Sequence, residues 1–420
     1  MDIAVIGGGI SGLTAAYYLG NSHRVTLYEK NDYVGGHTNT IMVDDSGGEI
    51  PIDTGFIVLN DRNYPLFRCL LSELRIPCKP TDMSFGVKCP DDGLEYSGNG
   101  LNGFFAQRKN LFSWKHYGLL KSIIRFNRVA SDMTDLQLTG LSVEDFFRQN
   151  KFPERFVWKY LVPMGAAIWS CPFKQFMNFP MRFVVEFFRN HGLLTLHNRP
   201  QWFVINNGSR SYVQAILSSN RFQFHTDSKV KRIQRRENGV QVLMAEGPPL
   251  DFDHVIVASH ADQSLALLGD EATGTEKEIL ESFSYQKNNA ILHTDTSILP
   301  SNRRAWASWN YLVSRNCSEN AVVTYNMNIL QGIQSDTTYC VTLNAEELID
   351  PNKIIRKIIY HHPVFNEDRD RMQARQNEII NTGSLSFCGA YWGNGFHEDG
   401  VRSALNVVKQ IQDSRGVNDG

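Results

Sequence analysis

Apolar residues along this 420-residue chain switch between two periods, and the switches mark its elements. Residues 1–6 carry an unbroken apolar run after Asp2, the pattern of a short strand buried on both faces. Residues 11–19 follow at helical spacing, and residues 24–28 form a second apolar strand ending at Glu29. From residue 63 to 192 apolar positions recur at helical spacing between polar interruptions, which predicts a helix-rich region punctuated near its end by Pro180 and Pro200. The period then drops to two. Phe222 and Phe224, Val230 and Ile233, and Val240 and Val242 flank an Asn238-Gly239 turn, as strands joined by a hairpin do. Residues 253–259, with Val255, Ile256 and Val257, predict a fully buried strand. Strands dominate again between residues 290 and 342, at 293–295, 305–311 and 321–327. His361 and His362 read as helix-end residues before Pro363. Residues 385–389 are an apolar strand ending in glycine. Residues 401–412 predict a helix with Val401, Leu405, Val408 and Ile411 on one face. Strand–helix alternation at both ends predicts an α/β fold. No internal repeat or low-complexity tract is present.

The first strand-to-helix turn reads Gly7-Gly8-Gly9-Ile10-Ser11-Gly12, the G-x-G-x-x-G pattern in the setting where it carries meaning. Gly7 allows the tight turn, Gly9 lets backbone N–H groups approach a pyrophosphate, and Gly12 lets the helix pack on the strand. Ile10 and Ser11 open a helix whose positive end faces phosphates. Glu29 stands about 20 residues on, where a carboxylate takes ribose hydroxyls, with Lys30 beside it. Together these residues predict a dinucleotide site.

Gly35, Gly36, His37 and Thr38 follow. The run from Glu29 to Thr38 resembles the extended motif of the FAD-dependent amine oxidase and phytoene desaturase superfamily, in which the glycine pair continues the phosphate cradle. His37 replaces the arginine more usual there. Asp53-Thr54-Gly55 resembles the segment that returns the chain beside the flavin, and the resemblance gives Val230 a backbone contact over the adenine. The strand, the glycine loop from Gly389 to Gly400 and the helix after it resemble the closing FAD motif. Its helix N-terminus points at the pyrimidine end of the isoalloxazine, where reduced flavin carries negative charge. This implies contacts from Gly389, Gly400 and Val401, with Tyr391 and Trp392 either facing the ring or packing under the loop. The resemblance implies an amine-oxidase-like α/β architecture: a Rossmann-like FAD-binding domain of residues 1–62, 205–282 and 380–420, interleaved with a substrate domain of mixed sheet plus helices, residues 63–204 and 283–379. FAD is expected to bind non-covalently, since no cysteine or histidine stands out as an attachment site.

Five further stretches, Pro163 to Ser170, Asn190 to Leu194, Arg199 to Trp202, Ser308 to Tyr311 and Gly395 to Gly400, resemble one branch of the superfamily. These are bacterial flavoproteins described only as FAD-binding and amine-oxidase-like, and they include desaturases of phospholipid acyl chains in furan fatty acid synthesis. The resemblance covers nearly the whole chain. It implies an FAD-dependent oxidoreductase that desaturates a lipid acyl chain by hydride transfer to flavin N5. A flavin amine oxidase, an FAD-dependent fatty-acid double-bond isomerase and a flavoprotein that binds lipid or a partner without turnover are the alternatives.

Composition narrows this picture. Apolar content of 42% with 20% charged residues is ordinary globular usage. No apolar run approaches bilayer-spanning length, and residue 1 leads straight into the first strand, which leaves no room for a signal peptide. The seven cysteines are odd in number and scattered without a C-x-x-C pair, which fits reduced thiols in a cytoplasm. Net charge is −2 but unevenly placed: between Tyr96 and Thr226 sixteen Lys and Arg face six Asp and Glu. Residues 104–128 hold Arg108, Lys109, Lys115, Lys121, Arg125 and Arg128, no acid, and many aromatics. Such a segment suits peripheral contact with an anionic membrane, here the inner face; a helix with a merely solvated basic face is the other reading. Nucleic acid is disfavoured, because no binding motif accompanies the basic stretch.

His397 with Glu398, and His191, are candidate proton acceptors, because histidine titrates near neutral pH. His293 alternates with Asp295 and reads as a structural pair. Lys287 occupies the part of the chain where an amine oxidase carries a lysine water-linked to N5. No ligand spacing predicts a metal. Ser170 and Ser308 lack the nucleophile-elbow context, which disfavours hydrolysis. The dense aromatics from Phe156 to Phe188 suit an apolar substrate better than a small amine.

Overall fold

The computed structural model describes residues 1–169, 171–195, 199–313, 322–364 and 368–416. Ser170 and Cys317 lie outside the described residues. The strand Asp2–Ile6 is the centre of a five-stranded parallel sheet, in the order Gln223–His225, Arg24–Tyr28, Asp2–Ile6, His254–Val257, Leu385–Phe387. Burial on both faces explains its unbroken apolar run. Ile3, Val5, Val25, Leu27 and Ile256 pack under the helices Ile10–Leu19, Pro65–Glu73 and His397–Gly416. Ala4, Ile6, Val255 and Val257 face the hairpin strands Val230–Arg236 and Gly239–Met244 and the helices Ala261–Leu268 and Gly274–Glu281. The order reverses between Asp2–Ile6 and His254–Val257, so their carboxyl ends open the crevice where α/β sheets bind ligands.

A seven-stranded mixed sheet forms the second layer system, in the order Ile354–Val364, Ser284–His293, Cys340–Leu343, Val322–Asn326, Trp309–Leu312, Phe85–Cys89, Leu94–Ser97. Helices between residues 114 and 190 pack against it through a core rich in phenylalanine. Among the described residues no helix is long and apolar enough to cross a membrane.

Several sequence expectations are corrected. The region 63–192 is not wholly helical: the strands Cys78–Thr81, Phe85–Cys89 and Leu94–Ser97 interrupt it. Leu94-Glu95-Tyr96-Ser97 does alternate, but over four residues only, too short a run to stand out as a strand; Glu95 is buried because it accepts the amides of Ser301 and Asn302. The hairpin of Thr40–Asp45 and Gly48–Asp53 was not foreseen. His361 and His362 lie on the edge strand Ile354–Val364, not at a helix end, and Pro363 is tolerated because that strand has one free edge. The basic segment is a 3-10 turn, Arg108–Phe112, followed by the helix Trp114–Asp132. The last helix begins one turn before residue 401, at His397. Residues 305–307 lie outside the strand Trp309–Leu312, and the strand at 293–295 ends at His293.

Candidate active site

A cavity of about 1290 Å³ is lined by the glycine loop, the ends of both large sheets and the C-terminal loop. Each glycine of the loop has its own steric reason. Gly7 has φ +108°, and a Cβ there would lie 2.8 Å from the Ala258 carbonyl oxygen. A Cβ on Gly12 would lie 1.9 Å from the Gly7 carbonyl oxygen, so only glycine lets the helix pack. A Cβ on Gly9 would meet nothing within 4 Å: this backbone faces open space. Glu29 holds the loop from the side, accepting the Gly8 amide at 2.8 Å and the Asn31 amide at 2.9 Å. The Gly35 amide donates to the Gly8 carbonyl at 2.8 Å, so the glycine pair packs directly on the loop. A phosphate cradle with a carboxylate beside it is what FAD requires, and these residues fit it.

Gly7, Gly9, Ile10, Ser11, Glu29, Lys30, Gly35, Gly36, His37, Thr54, Gly55, Val230 and Gly389 all line the cavity. Gly12, Thr38, Gly400 and Val401 do not. Gly12 is a packing glycine. The Thr38 hydroxyl lies behind the cavity wall, bonded to the Tyr212 hydroxyl at 2.5 Å and to His397 Nε2 at 2.9 Å. Gly400 exists for helix packing: its Cβ would lie 2.7 Å from Ile10 Cγ2, and its amide already donates to the Phe396 carbonyl. Because the helix starts at His397, the unbonded amides of its first turn, among the described residues, are those of His397 and Glu398.

The catalytic candidates separate as sharply. Glu398 is buried and points away from the cavity, accepting the amides of Leu66 at 3.1 Å and Phe67 at 2.9 Å at the start of the helix Pro65–Glu73. It caps that helix. His397 lines the cavity but stacks on Phe56 at 3.6 Å, and its Nε2 is committed to Thr38 and to the Tyr212 hydroxyl at 3.2 Å. Burial holds it well below the usual histidine pKa. Trp392 lies off the cavity and packs on Phe283, whereas Tyr391 lines it. His191 is different. Its Nδ1 donates to the Phe187 carbonyl at 2.9 Å, which leaves Nε2 without a proton, as an acceptor, in a ring that lines the cavity. Burial brings its pKa down to about 4, so the ring is neutral near pH 7. It lines the cavity between Phe187 and Trp202. Lys287 is exposed and off the cavity. His293 is a structural residue: Nε2 meets the Thr342 hydroxyl at 2.7 Å and Nδ1 accepts the Asp295 amide at 3.1 Å.

Sequence reasoning missed several lining residues. His260 follows the strand His254–Val257, and Tyr360, His361 and His362 come from the edge strand. The first could have been found from the returning apolar strand, whose carboxyl end must open on the same crevice. Asp53 is also buried, accepting from Thr40 and Ser209 hydroxyls, the Ser209 amide and Gln331; burial pushes its carboxyl up to about 6.

The model of the family described as flavin containing amine oxidoreductase matches residues 10–319. The chain is 23% identical over 410 residues to the 15-cis-phytoene desaturase of Capsicum annuum, covering 90% of this chain and 64% of that protein. The chain spans from about a third to under two thirds of the length of the curated relatives it matches. Among solved structures, the CLA-producing fatty acid isomerase from P. acnes superposes with a TM-score of 0.66 at 14% identity, covering 97% of this chain and 98% of that one. The cyclohexylamine oxidase from Brevibacterium oxydans superposes with a TM-score of 0.67 at 14% identity, covering 98% and 99%. These likenesses show a shared fold.

Proposed function

The chain belongs to the flavin containing amine oxidoreductase family and is an FAD-dependent oxidoreductase, and within that family we propose that it desaturates a lipid acyl chain. The observation that carries this reading is the imidazole of His191, unprotonated near pH 7 and set in an apolar wall. Met164, Ile168, Trp169, Phe187, Leu193 and Phe396 line that part of the cavity. When bound, FAD supplies the two-electron acceptor for a hydride from one substrate carbon, and oxygen or another acceptor reoxidises it. The chain's residues do the rest. The aromatic wall holds the acyl chain and excludes water. His191 Nε2 takes the proton from the neighbouring carbon, so that a C=C bond forms and charge balances. The Phe187 carbonyl fixes the tautomer this requires.

Two observations weigh against an amine substrate. The lysine expected of an amine oxidase is exposed, and among the described lining residues the carboxylates are only Glu29 and Asp82. Glu29 is already engaged with the glycine loop.

The substrate's source fits the basic segment. Phe112 is 92% exposed and Trp114 79% exposed, with Leu101, Leu111 and Tyr117 also exposed. Basic residues surround them, and His116, Leu119 and Phe126 anchor the helix to the core. We infer that this face rests on an anionic membrane surface from which the lipid is drawn.

Anaerobic mixing of the holoenzyme with phospholipid, free fatty acid or amines tests the reaction. Bleaching of the flavin by acyl lipids, with a product two hydrogens lighter, is expected. Bleaching by amines alone would overturn the proposal, and a product of unchanged mass would assign isomerisation instead.

A further inference from the structure

We propose that the imidazoles of His37, His260, His361 and His362 form a rim that holds the FAD pyrophosphate and couples FAD binding to proton uptake. This rests on the FAD reading above. All four rings line the cavity. Two leave backbones that abut the phosphate loop itself. His37 directly follows Gly36, whose Cβ position lies 3.1 Å from Gly9 Cα. His260 directly follows Ala258-Ser259, which lie 2.8 and 3.2 Å from the Cβ position of Gly7. The other two come from the edge strand Ile354–Val364 and close the group. Ring centroids of His37 and His362 are 5.2 Å apart, those of His37 and His260 6.3 Å, and those of His260 and His361 6.2 Å. Tyr360 stacks on His37 at 4.9 Å and Tyr285 on His260 at 4.4 Å, which fixes both rings.

The hydrogen bonds set the proton positions. Asn344 Nδ2 donates to Asn288 Oδ1 at 2.6 Å, so Asn288 presents its Nδ2 to His362 Nδ1 at 2.9 Å. His362 accepts there, and its ring proton sits on Nε2 as a donor. Gln263 Nε2 lies 3.5 Å from His260 Nδ1, which favours the same tautomer. His37 Nε2 is buried and has no hydrogen-bond partner among the described residues. No carboxylate among the described residues bonds to any of the four rings. Other charged or titratable groups packed around them are Glu29, Lys30 and Tyr33 from the loop after Arg24–Tyr28, Asp53 from the hairpin, Asp262 and Tyr285 around His260, Tyr360 on the edge strand, and His397.

Burial holds His37 at about 4 and His260 and His362 at about 3, and the rings also repel one another's charge. Each is therefore neutral near pH 7 before FAD arrives. A bound pyrophosphate favours the charged imidazolium, so these pKa values rise on binding. Between the free and the bound values the complex carries more protons than the separated partners. FAD then binds more tightly as pH falls, by up to about tenfold per pH unit for each proton taken up. An arginine at position 37 stays charged throughout and produces no such slope.

The test is calorimetric titration of FAD into the full chain stripped of cofactor, from pH 5.5 to 8, in two buffers of different ionisation heat. Proton uptake and a Kd that tightens several-fold from pH 8 to 5.5 are expected. His37→Arg should bind with a flattened slope and less uptake, and His362→Gln should also reduce uptake if the arginine variant folds poorly. Riboflavin, which lacks the pyrophosphate, should show no slope. A wild-type Kd for FAD that is flat with pH, with no proton exchange, overturns the rim proposal while leaving FAD binding intact. Absence of FAD binding at every pH overturns the FAD reading itself.

Discussion

His191 offers one nitrogen to the cavity because the other is committed to a backbone carbonyl, and this asymmetry makes its role testable. Replacing it with glutamine keeps a polar group of similar size but removes the base. The rate of anaerobic flavin reduction by lipid should then fall by about 10²–10⁴-fold, with FAD content unchanged. An unchanged rate in stopped-flow absorbance would remove His191 from the chemistry. With its pKa near 4, the base is lost only as pH falls toward that value, so wild-type reduction should be flat from pH 8 to 6 and decline on the acid side. Glu398 makes the opposite prediction. Glu398→Ala strips the acceptor from two amides at the start of Pro65–Glu73, at a cost of about 1–3 kcal/mol in urea unfolding. The reduction rate per bound flavin should stay as it was; a slower rate at unaltered stability would return Glu398 to the active site. Sequence adjacency to His397 could not reveal this. Successive helical residues point about 100° apart, so one side chain faces the cavity and the next faces a neighbouring helix. Which is which depends on the element packed alongside, and that element comes from residues 65–73.

The glycine loop was legible because its requirements are local backbone sterics, and the structure turns them into a contrast between two alanine variants. A Cβ at Gly12 would collide with the Gly7 carbonyl at 1.9 Å, so Gly12→Ala should lower expression and the unfolding midpoint. A Cβ at Gly9 meets only open space, so Gly9→Ala should fold while weakening FAD binding, and Gly9→Trp should fold and purify colourless. Equal stability losses at both positions by circular dichroism melting would contradict this division. The strands from residue 85 to 97 were missed although Phe85-Gly86-Val87-Lys88-Cys89 and Leu94-Glu95-Tyr96-Ser97 both alternate. Each run is only four or five residues long, and the sheet partner of Phe85–Cys89 that fixes them as strands, Trp309–Leu312, lies over 200 residues away. The basic segment was half legible: composition marked it, but only the fold shows that Phe104, Phe105 and Phe126 are core while Phe112 and Trp114 are exposed. Phe112→Ser with Trp114→Ser should therefore change unfolding free energy by under about 0.5 kcal/mol. Binding to phosphatidylserine vesicles in a sedimentation assay should weaken at least tenfold. Retained binding would place the membrane contact elsewhere.

At the scale of the molecule, two sheets are each assembled from segments far apart in sequence, and buried histidines tie them. The parallel sheet draws its strands from residues 2 to 387, and His254 Nε2 meets the Ser386 hydroxyl at 2.9 Å between two of them. In the mixed sheet His293 meets Thr342 across adjacent strands. Burial brings both rings down to about 4, against about 6.5 in an unfolded chain. The sign follows from proton counting. Between pH 6.5 and 4 the unfolded chain binds protons that the folded chain excludes, so stability is present above pH 6.5 and is lost as pH falls through that window. At pH 5 the loss is roughly 1–2 kcal/mol for each such histidine. Urea unfolding at pH 7 and pH 5 should show a markedly lower midpoint at pH 5, before carboxylates of ordinary pKa are protonated. His254→Gln preserves a hydrogen bond to Ser386 but cannot titrate, so it should narrow the difference between the two pH values by about its own share. An identical difference in wild type and variant would mean that His254 is solvated or charged in the folded protein, and that the seam between His254–Val257 and Leu385–Phe387 opens on a timescale that lets protons in.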